Sequence, residues 1–213
     1  MSEAMTSLWQ PRGAWEGAAR IGRDGAAAGP AGIRLSLREG FGLATLIAAE
    51  GKEADLQTAL ADRFGPSLPE AGTALFEGET GLVWSAPGQW LAVAPSPRDL
   101  RDWPEALRSV AAVTDQSDSR ALVRISGPQA RAMLAKGVAV DLHPRAFGPG
   151  RAAVTSITHI GVQLWQRDAG PTYDLTVARS FAGSFWRWLE HAAAEFGYEV
   201  EASTMKPTVD SQT

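Results

Sequence analysis

The sequence predicts an α+β protein made of two related halves, each a mainly antiparallel sheet with its helices on one face. Short segments of alternating apolar and polar residues predict strands, and apolar residues at helical spacing predict helices between them. The order strand, helix, loop, three strands, helix occurs twice along the chain. Trp84 and Trp165, and likewise Trp90 and Tyr173, occupy matching strands, which favours an internal duplication.

The first half is assigned to residues 33–112. Leu56, Leu60 and Phe64 give its first helix one apolar face. Pro104 is expected to break or kink its second helix, because proline lacks the backbone N–H that a helix interior needs. The predicted helices are 53–64 and 96–110, and the predicted strands are 33–39, 42–49, 73–78, 81–86 and 89–95.

The second half is assigned to residues 113–200. Its last helix carries Phe185, Leu189 and Phe196 along one face and ends at Gly197. The predicted helices are 127–137 and 181–197, and the predicted strands are 120–126, 152–160, 162–167, 173–180 and 198–202. Asp115 and Asp118 precede the first of these strands, in a segment whose residue types suit turns.

The two ends of the chain differ from these halves. Residues 1–32 are rich in Gly and Ala without a clear period, and they predict an extended or partner-docked arm. Trp9, Trp15 and Ile21 are its apolar anchors. Residues 201–213 predict a polar, disordered tail.

Composition excludes several classes of function. The net charge is −4 and the Lys and Arg residues are scattered, so no basic stripe for nucleic acid is present. The absence of Cys excludes disulfides, thiolate zinc sites, Fe–S ligation and a Cys nucleophile. The longest apolar stretch, Phe41 to Ala49, is too short to span a bilayer, and no secretory signal is visible. We therefore expect a cytoplasmic protein without membrane contact.

The motifs of common cofactor sites are missing. No GxGxxG follows a strand, and neither GxxxxGK[ST] nor GxSxG occurs. His143, His159 and nearby Asp141 do not supply the ligand set that a zinc site needs. Arg179 and Ser180 stand before a helix N-terminus, where they suit either an anion or a helix cap. Eight tryptophans are present, which suits either core packing or a protein contact.

Three segments together resemble the gamma subunit family of heterotetrameric sarcosine oxidase. They are VTDQSDSRALVRISGPQARAMLAKGVAVDLHPRAFGPGRAAVTSITHIGVQLW, YDLTVARSFAGSFWRWLEHAAAEFGYEV and LVWSAPGQWLAVAP, within residues 33–200. The resemblance implies the folate-binding fold of the glycine-cleavage aminomethyltransferase, whose DxS segment is similar to Asp115–Ser119. It also implies a noncatalytic subunit of an enzyme that demethylates sarcosine to glycine, yielding H2O2 and formaldehyde or 5,10-methylenetetrahydrofolate.

The same resemblance implies alpha, beta and delta partner subunits. It implies no cofactor in this chain, and FAD, FMN, NAD, zinc and tetrahydrofolate in the partners. Two alternatives remain open: a subunit of a related N-methyl amino acid oxidase or dehydrogenase, for example one acting on N-methylglutamate, and a stand-alone folate-binding transferase. A pterin pocket with a carboxylate would favour the transferase.

No residue is assigned to catalysis, to a cofactor or to a metal. The candidates for structural or interface roles are Asp141, His143, Pro144, His159, Arg179, Ser180 and Trp186. The loop DLHPRAFGPG is interpreted as architecture, because its prolines fix φ and His143 can both donate and accept a hydrogen bond. We expect this loop, His159 and Arg179 to form a buried polar network at or beneath a subunit contact.

Overall fold

The computed structural model describes residues 12–25, 29–65 and 67–204 of the 213-residue chain. These residues form two sheets and four α-helices. The helices are α1 (Glu53–Arg63), α2 (Trp103–Ala106), α3 (Ala130–Leu134) and α4 (Ala182–Ala193). The strands are β1 (Gly22–Asp24), β2 (Ile33–Glu39), β3 (Gly42–Ala48), β4 (Ala74–Glu77), β5 (Thr80–Ala86), β6 (Gln89–Ala94), β7 (Ala111–Asp115), β8 (Arg120–Ser126), β9 (Ala152–Ile157), β10 (Ile160–Asp168), β11 (Thr172–Ala178) and β12 (Tyr198–Thr204).

The strands form a larger and a smaller sheet. The larger sheet has the order β1-β12-β2-β8-β11-β10-β9, and the smaller has β4-β5-β6-β3-β7. Among the described strands, β2 and β12 form the one parallel pair. The predicted α+β fold of mainly antiparallel sheets is confirmed.

The two sheets share one pattern, and each takes a strand from the other half of the chain. The order β4-β5-β6-β3 in the smaller sheet matches β9-β10-β11-β8 in the larger. The next position is filled by β7 beside β3 and by β2 beside β8. The opening strand of each half thus pairs in the sheet of the other half, so the sheets do not separate at residue 112.

Each sheet carries helices on one face, and the opposite faces meet. Side chains from α1 and α2 pack on the smaller sheet, including Leu56, Leu60 and Trp103. Side chains from α3 and α4 pack on the larger sheet in the same way. A third core cluster lies between the sheets; it includes Leu43, Val83, Leu91, Val93, Leu122 and Trp165. The result is a four-layer arrangement in the order helices, sheet, sheet, helices.

Three local predictions are wrong. The helix expected at 96–110 is a 3₁₀ turn, Pro97–Leu100, followed by the short α2, because Pro104 fits a first helical turn but not a helix interior. The segment at 111–115 is a strand, β7. The strand expected at 152–160 ends at Ile157, where a tight turn begins.

Candidate functional site

The proline loop is held by its own turn hydrogen bonds. The backbone N–H of His143 donates to Asp141 Oδ1 at 2.8 Å, and that of Arg145 donates to His143 Nδ1 at 3.2 Å. The carbonyl of His143 accepts from Ala146 and Phe147. Leu142 and Phe147 are buried in the core of the larger sheet, while Pro144 is exposed. These contacts agree with a structural role for this loop.

His159 lies in the two-residue turn between β9 and β10. Ile157 pairs with Ile160 across this turn, and Thr158 and His159 have φ values of 46° and 71°. Both conformations are left-handed, as a tight hairpin turn with the sheet's twist requires. A β-branched residue is strained there, so Thr158 stores strain in an exposed turn.

The expected buried network of the proline loop, His159 and Arg179 is absent from the described residues. His143 and His159 are both exposed. The Arg179 side chain donates to the backbone carbonyls of Arg12 and Gly13. Ser180 is exposed, and α4 begins without a side-chain cap. An interface role for these side chains remains a prediction.

The described part of the arm docks on the chain's own larger sheet. Trp15 is 1% exposed, and its indole N–H donates to the carbonyl of Leu122 at 3.0 Å. Its ring lies 5.7 Å from that of Trp186, which is equally buried. Trp186 therefore contacts the arm, and Trp9 lies outside the described residues.

The docked arm borders an open cleft, here called the arm cleft, with a volume of about 370 Å³. Apolar walls come from Phe41, Leu43, Pro97 and Leu122. Its charged lining residues are Arg12, Arg38, Glu39, Asp118, Arg120 and Arg179. Arg38 is buried, Arg120 and Glu39 are half-buried, and Asp118 is exposed.

A cluster of five charged residues, here called the ion cluster, lies between the two sheets: Arg38, Glu79, Arg124, Arg167 and Asp174. Arg124 binds Asp174 through two hydrogen bonds of 2.7 and 2.8 Å, and it binds Glu79 through two of 3.0 and 3.1 Å. Arg38 Nη2 lies 2.8 Å from Glu79 Oε2. Glu79 belongs to the smaller sheet and the other four belong to the larger, so the cluster joins the sheets.

Burial and the charged partners together set the direction of the pKa shifts in this cluster. Burial alone would raise the pKa of Glu79, but hydrogen bonds and charge from Arg124, with the charges of Arg38 and Arg167, hold that pKa below its usual value. Burial opposes the charge of Arg124, but the hydrogen bonds that it donates to both carboxylates outweigh burial and raise its pKa. Burial lowers the pKa of Arg167, whose guanidinium also lies 3.9 Å from the Phe76 ring.

Sequence reasoning missed the ion cluster, although a signal was present. Arg124 and Asp174 each stand in the middle of a strand between two buried apolar or aromatic residues, and they face each other across the β8–β11 pair. A charged residue with buried neighbours on both sides calls for a partner. The contribution of Glu79 was not visible, since it lies in a hairpin turn far away in sequence.

A second opening, here called the inter-sheet cavity, has a volume of about 450 Å³. Its polar lining residues are Thr45, Ser85, Gln89, Gln116, Ser119, Arg120 and Gln163. Asp115 does not line it; Asp115 Oδ1 accepts a 2.8 Å hydrogen bond from the Ser117 N–H. No carboxylate stands among the described lining residues, so this cavity offers none to a pterin ring.

Two kinds of feature are absent from the described residues. No group of three or more His, Cys, Asp or Glu side chains is arranged to hold a metal ion. None of the helices has the length and apolar character that a membrane crossing requires.

Comparison with known proteins identifies the family. Residues 49–195 match the model of the sarcosine oxidase, gamma subunit family. The sarcosine oxidase subunit gamma of Corynebacterium sp. (strain P-1) is 37% identical over 153 residues, which cover 66% of this chain and 71% of the relative. The subunit gamma of an Arthrobacter species is 36% identical over 147 residues, covering 65% and 70%.

Solved structures agree. A chain of the heterotetrameric sarcosine oxidase from Corynebacterium sp. U-96, solved with pyrrole 2-carboxylate, aligns with a TM-score of 0.71 and 31% identity, covering 79% of this chain and 87% of that one. The glycine cleavage aminomethyltransferase T from Bartonella henselae aligns with a TM-score of 0.57 at 14% identity, over 80% of this chain and 48% of that one, which shows the shared fold. The chain belongs to the sarcosine oxidase gamma subunit family.

Proposed function

We propose that this chain is the noncatalytic gamma subunit of a heterotetrameric sarcosine oxidase, and that it supports assembly of the enzyme. The observation that carries the proposal is the structural match to a chain of such a heterotetramer over most of both lengths. In this proposal the complex converts sarcosine to glycine with H2O2 and formaldehyde or 5,10-methylenetetrahydrofolate as products. The alpha, beta and delta subunits are the partners, and the complex is cytoplasmic.

The chemistry is assigned to the partner subunits. FAD, FMN, NAD, zinc and tetrahydrofolate belong to them in this proposal, and this chain contributes surface and rigidity. One observation supports this division: the sequence carries none of the usual cofactor loops. A related oxidase or dehydrogenase for another N-methyl amino acid is an alternative, because a noncatalytic subunit does not determine the substrate.

Co-purification tests the proposal. The tagged chain is co-expressed with the candidate partner genes, and the captured material is analysed by mass spectrometry and by its flavin absorbance. We expect two large flavin-bearing chains and a small zinc-bearing chain. A lone, colourless, folded monomer that binds tetrahydrofolate would overturn the proposal and favour the stand-alone transferase.

A substitution tests the interface role of the proline loop. His143→Ala removes an exposed side chain whose Nδ1 accepts one backbone hydrogen bond. If the loop meets a partner, recovery of the partner subunits falls while the isolated chain stays folded. Recovery equal to that of the wild type would remove His143 from the candidate interface.

A further inference from the structure

The charged side chains that line the arm cleft have no part in the proposed assembly role. Its most buried charged group is the cation of Arg38, whereas the carboxylate of Asp118 is exposed. Arg38 pairs with Glu79 in the ion cluster, and Arg12 pairs with Glu16 outside the cleft. Arg120 and Arg179 form no ion pair with any carboxylate of the described residues.

Arg120 differs most from an ordinary surface arginine. Its Nε is buried and has no hydrogen-bond acceptor. An unsatisfied buried donor is costly, and the cost is larger for a charged group. Burial lowers the pKa of Arg120, and no carboxylate acts against that shift. Because Nε is closed to solvent, a ligand in the cleft would meet the guanidinium at its terminal nitrogens. The side chain as a whole is half-buried and has no carboxylate partner among the described residues.

The surroundings of Arg120 fit an acid with an apolar body. The guanidinium presents donors in a planar fork that matches a carboxylate. Phe41, Leu43, Pro97 and Leu122 supply apolar walls beside it. The cleft volume of about 370 Å³ lies at the lower end of the usual range for small-molecule sites.

The arm fixes one side of this cleft. The Arg179 side chain donates to the backbone carbonyls of Arg12 and Gly13. Trp15, two residues after Gly13, is buried in the core and anchors the arm there. A Cβ atom on Gly13 would lie 2.1 Å from Glu39 Oε1, so a side chain at position 13 would displace the Glu39 carboxylate. Glu39 therefore packs beneath the arm.

We propose that the arm cleft binds a carboxylate, with Arg120 as its hydrogen-bonding anchor and Arg38 and Arg179 adding positive potential. The carboxylate comes either from a free organic acid or from an acidic side chain of a partner subunit. The second source rests on the proposed function, whereas the first does not.

The test uses the isolated full-length chain labelled with 15N-arginine, and benzoate as the probe. Benzoate combines a carboxylate with a flat apolar body, and benzamide is its neutral control. We expect benzoate, but not benzamide, to shift the Nε–H resonance of Arg120 in a saturable way. Arg120→Gln should weaken benzoate binding about tenfold or more, as the loss of a charge-assisted hydrogen bond requires.

A matched variant controls for net charge. Arg145→Gln removes an exposed guanidinium from the proline loop, remote in sequence from the cleft, and should leave benzoate binding unchanged. Circular dichroism confirms that both variants are folded. The proposal is overturned if benzoate produces no saturable shift, or if both variants weaken binding equally.

The assembled oxidase distinguishes the two sources. If a partner's carboxylate fills the cleft, benzoate binds the isolated chain but not the complex, and Arg120→Gln lowers partner recovery. If the ligand is a free acid, benzoate binds both and recovery is unchanged. A chain that binds benzoate but recovers no partners would contradict the proposed function and leave the carboxylate site standing.

Discussion

The two sheets differ in the chemistry of the faces that meet. The smaller sheet presents mainly apolar side chains such as Val83 and Leu91, with Thr45, Ser85 and Gln89 at the inter-sheet cavity. The larger sheet presents Leu122 and Trp165 together with the half-buried Arg124 and the buried Asp174 and Thr176. The contrast shows that a sheet face can be strongly polar and still buried, provided that its charges satisfy one another.

The helix-covered faces differ as well. Both are apolar, but the larger sheet has an additional cover, the docked arm with Trp15. No described residue outside the first half covers the smaller sheet in this way. The second half is therefore the one whose packing depends on a segment from the start of the chain.

Removing the buried acid of the ion cluster should give the largest effect. Asp174 is 3% exposed and binds Arg124 through both carboxylate oxygens. Asp174→Ala leaves Arg124 short of a partner, and we expect a loss of about 3–5 kcal/mol in the free energy of unfolding. Urea denaturation measures it. Glu105→Ala, which breaks an exposed pair with Arg108, is the control and should change little. A loss for Asp174→Ala as small as the control's would show that water replaces the pairing.

Removing the arm's anchor should have the next largest effect. Trp15→Ala deletes a fully buried ring and its hydrogen bond to Leu122, so we expect a loss of about 3–4 kcal/mol. Thermal and urea denaturation measure this loss. Glu16→Ala, one residue further along, should change stability by less than about 0.5 kcal/mol. Equal effects would mean that the arm adds nothing to the larger sheet.

Glu79 should contribute to the change in the free energy of unfolding as the pH is lowered. Its pKa is lower in the folded chain than in the unfolded chain, so its carboxylate stabilises the fold above the unfolded pKa of about 4.3. That contribution is lost as the pH falls through the lower, folded value. We expect Glu79→Gln to cost about 1–2 kcal/mol at neutral pH, and the cost to shrink on acidification.

Unfolding curves over a series of pH values check this behaviour. Glu105→Gln serves as the matched control, because its pair with Arg108 is exposed. A Glu79→Gln cost that stays constant as the pH is lowered would mean that the carboxylate keeps its charge, or has no role, throughout the range.

The smallest predicted change in stability concerns a pair of equivalent hairpin turns, one in each sheet. The β4–β5 turn contains Gly78 at φ 60°, where the β9–β10 turn has Thr158 at φ 46°. Thr158→Gly removes the strain of a β-branched residue, and we expect a gain of about 0.5–1 kcal/mol after glycine's entropic cost. Ser156→Gly, inside β9, should instead destabilise by a similar amount. Thermal denaturation compares the two, and a loss for both variants would show that the turn is unstrained.

The sequence alone predicts most of the strands and helices, but it does not predict which strands pair with each other. The predicted bounds of β2, β3, β5, β6 and β8 are close to those observed, because each is a short, largely apolar segment bounded by turn residues, as expected of strands covered on both faces. β7 is not among the predicted strands, because its sequence AAVTD is short and is followed directly by turn-forming residues. The exchange of β2 and β7 could not be foreseen, since strand pairing joins residues far apart in sequence.

The candidate site shows the same limit. Asp141 and His143 form the turn contacts that their residue types favour, because those bonds are local. The predicted strand 152–160 includes His159, because nothing in THI signals a left-handed turn. The ion cluster and the unsatisfied Arg120 depend on neighbours from three or more segments, which no local pattern encodes.

The exchanged strand β2 sets an order of events during synthesis. The strands of the smaller sheet, β3 to β7, are continuous in the chain, so that sheet can close once residue 115 has left the ribosome. β2 emerges before any of them, yet its neighbours are β8 and the last strand, β12. Distant pairings form slowly because the chain must first close a long loop. β2 therefore waits for β12, and the larger sheet is complete only after residue 204 has been synthesised.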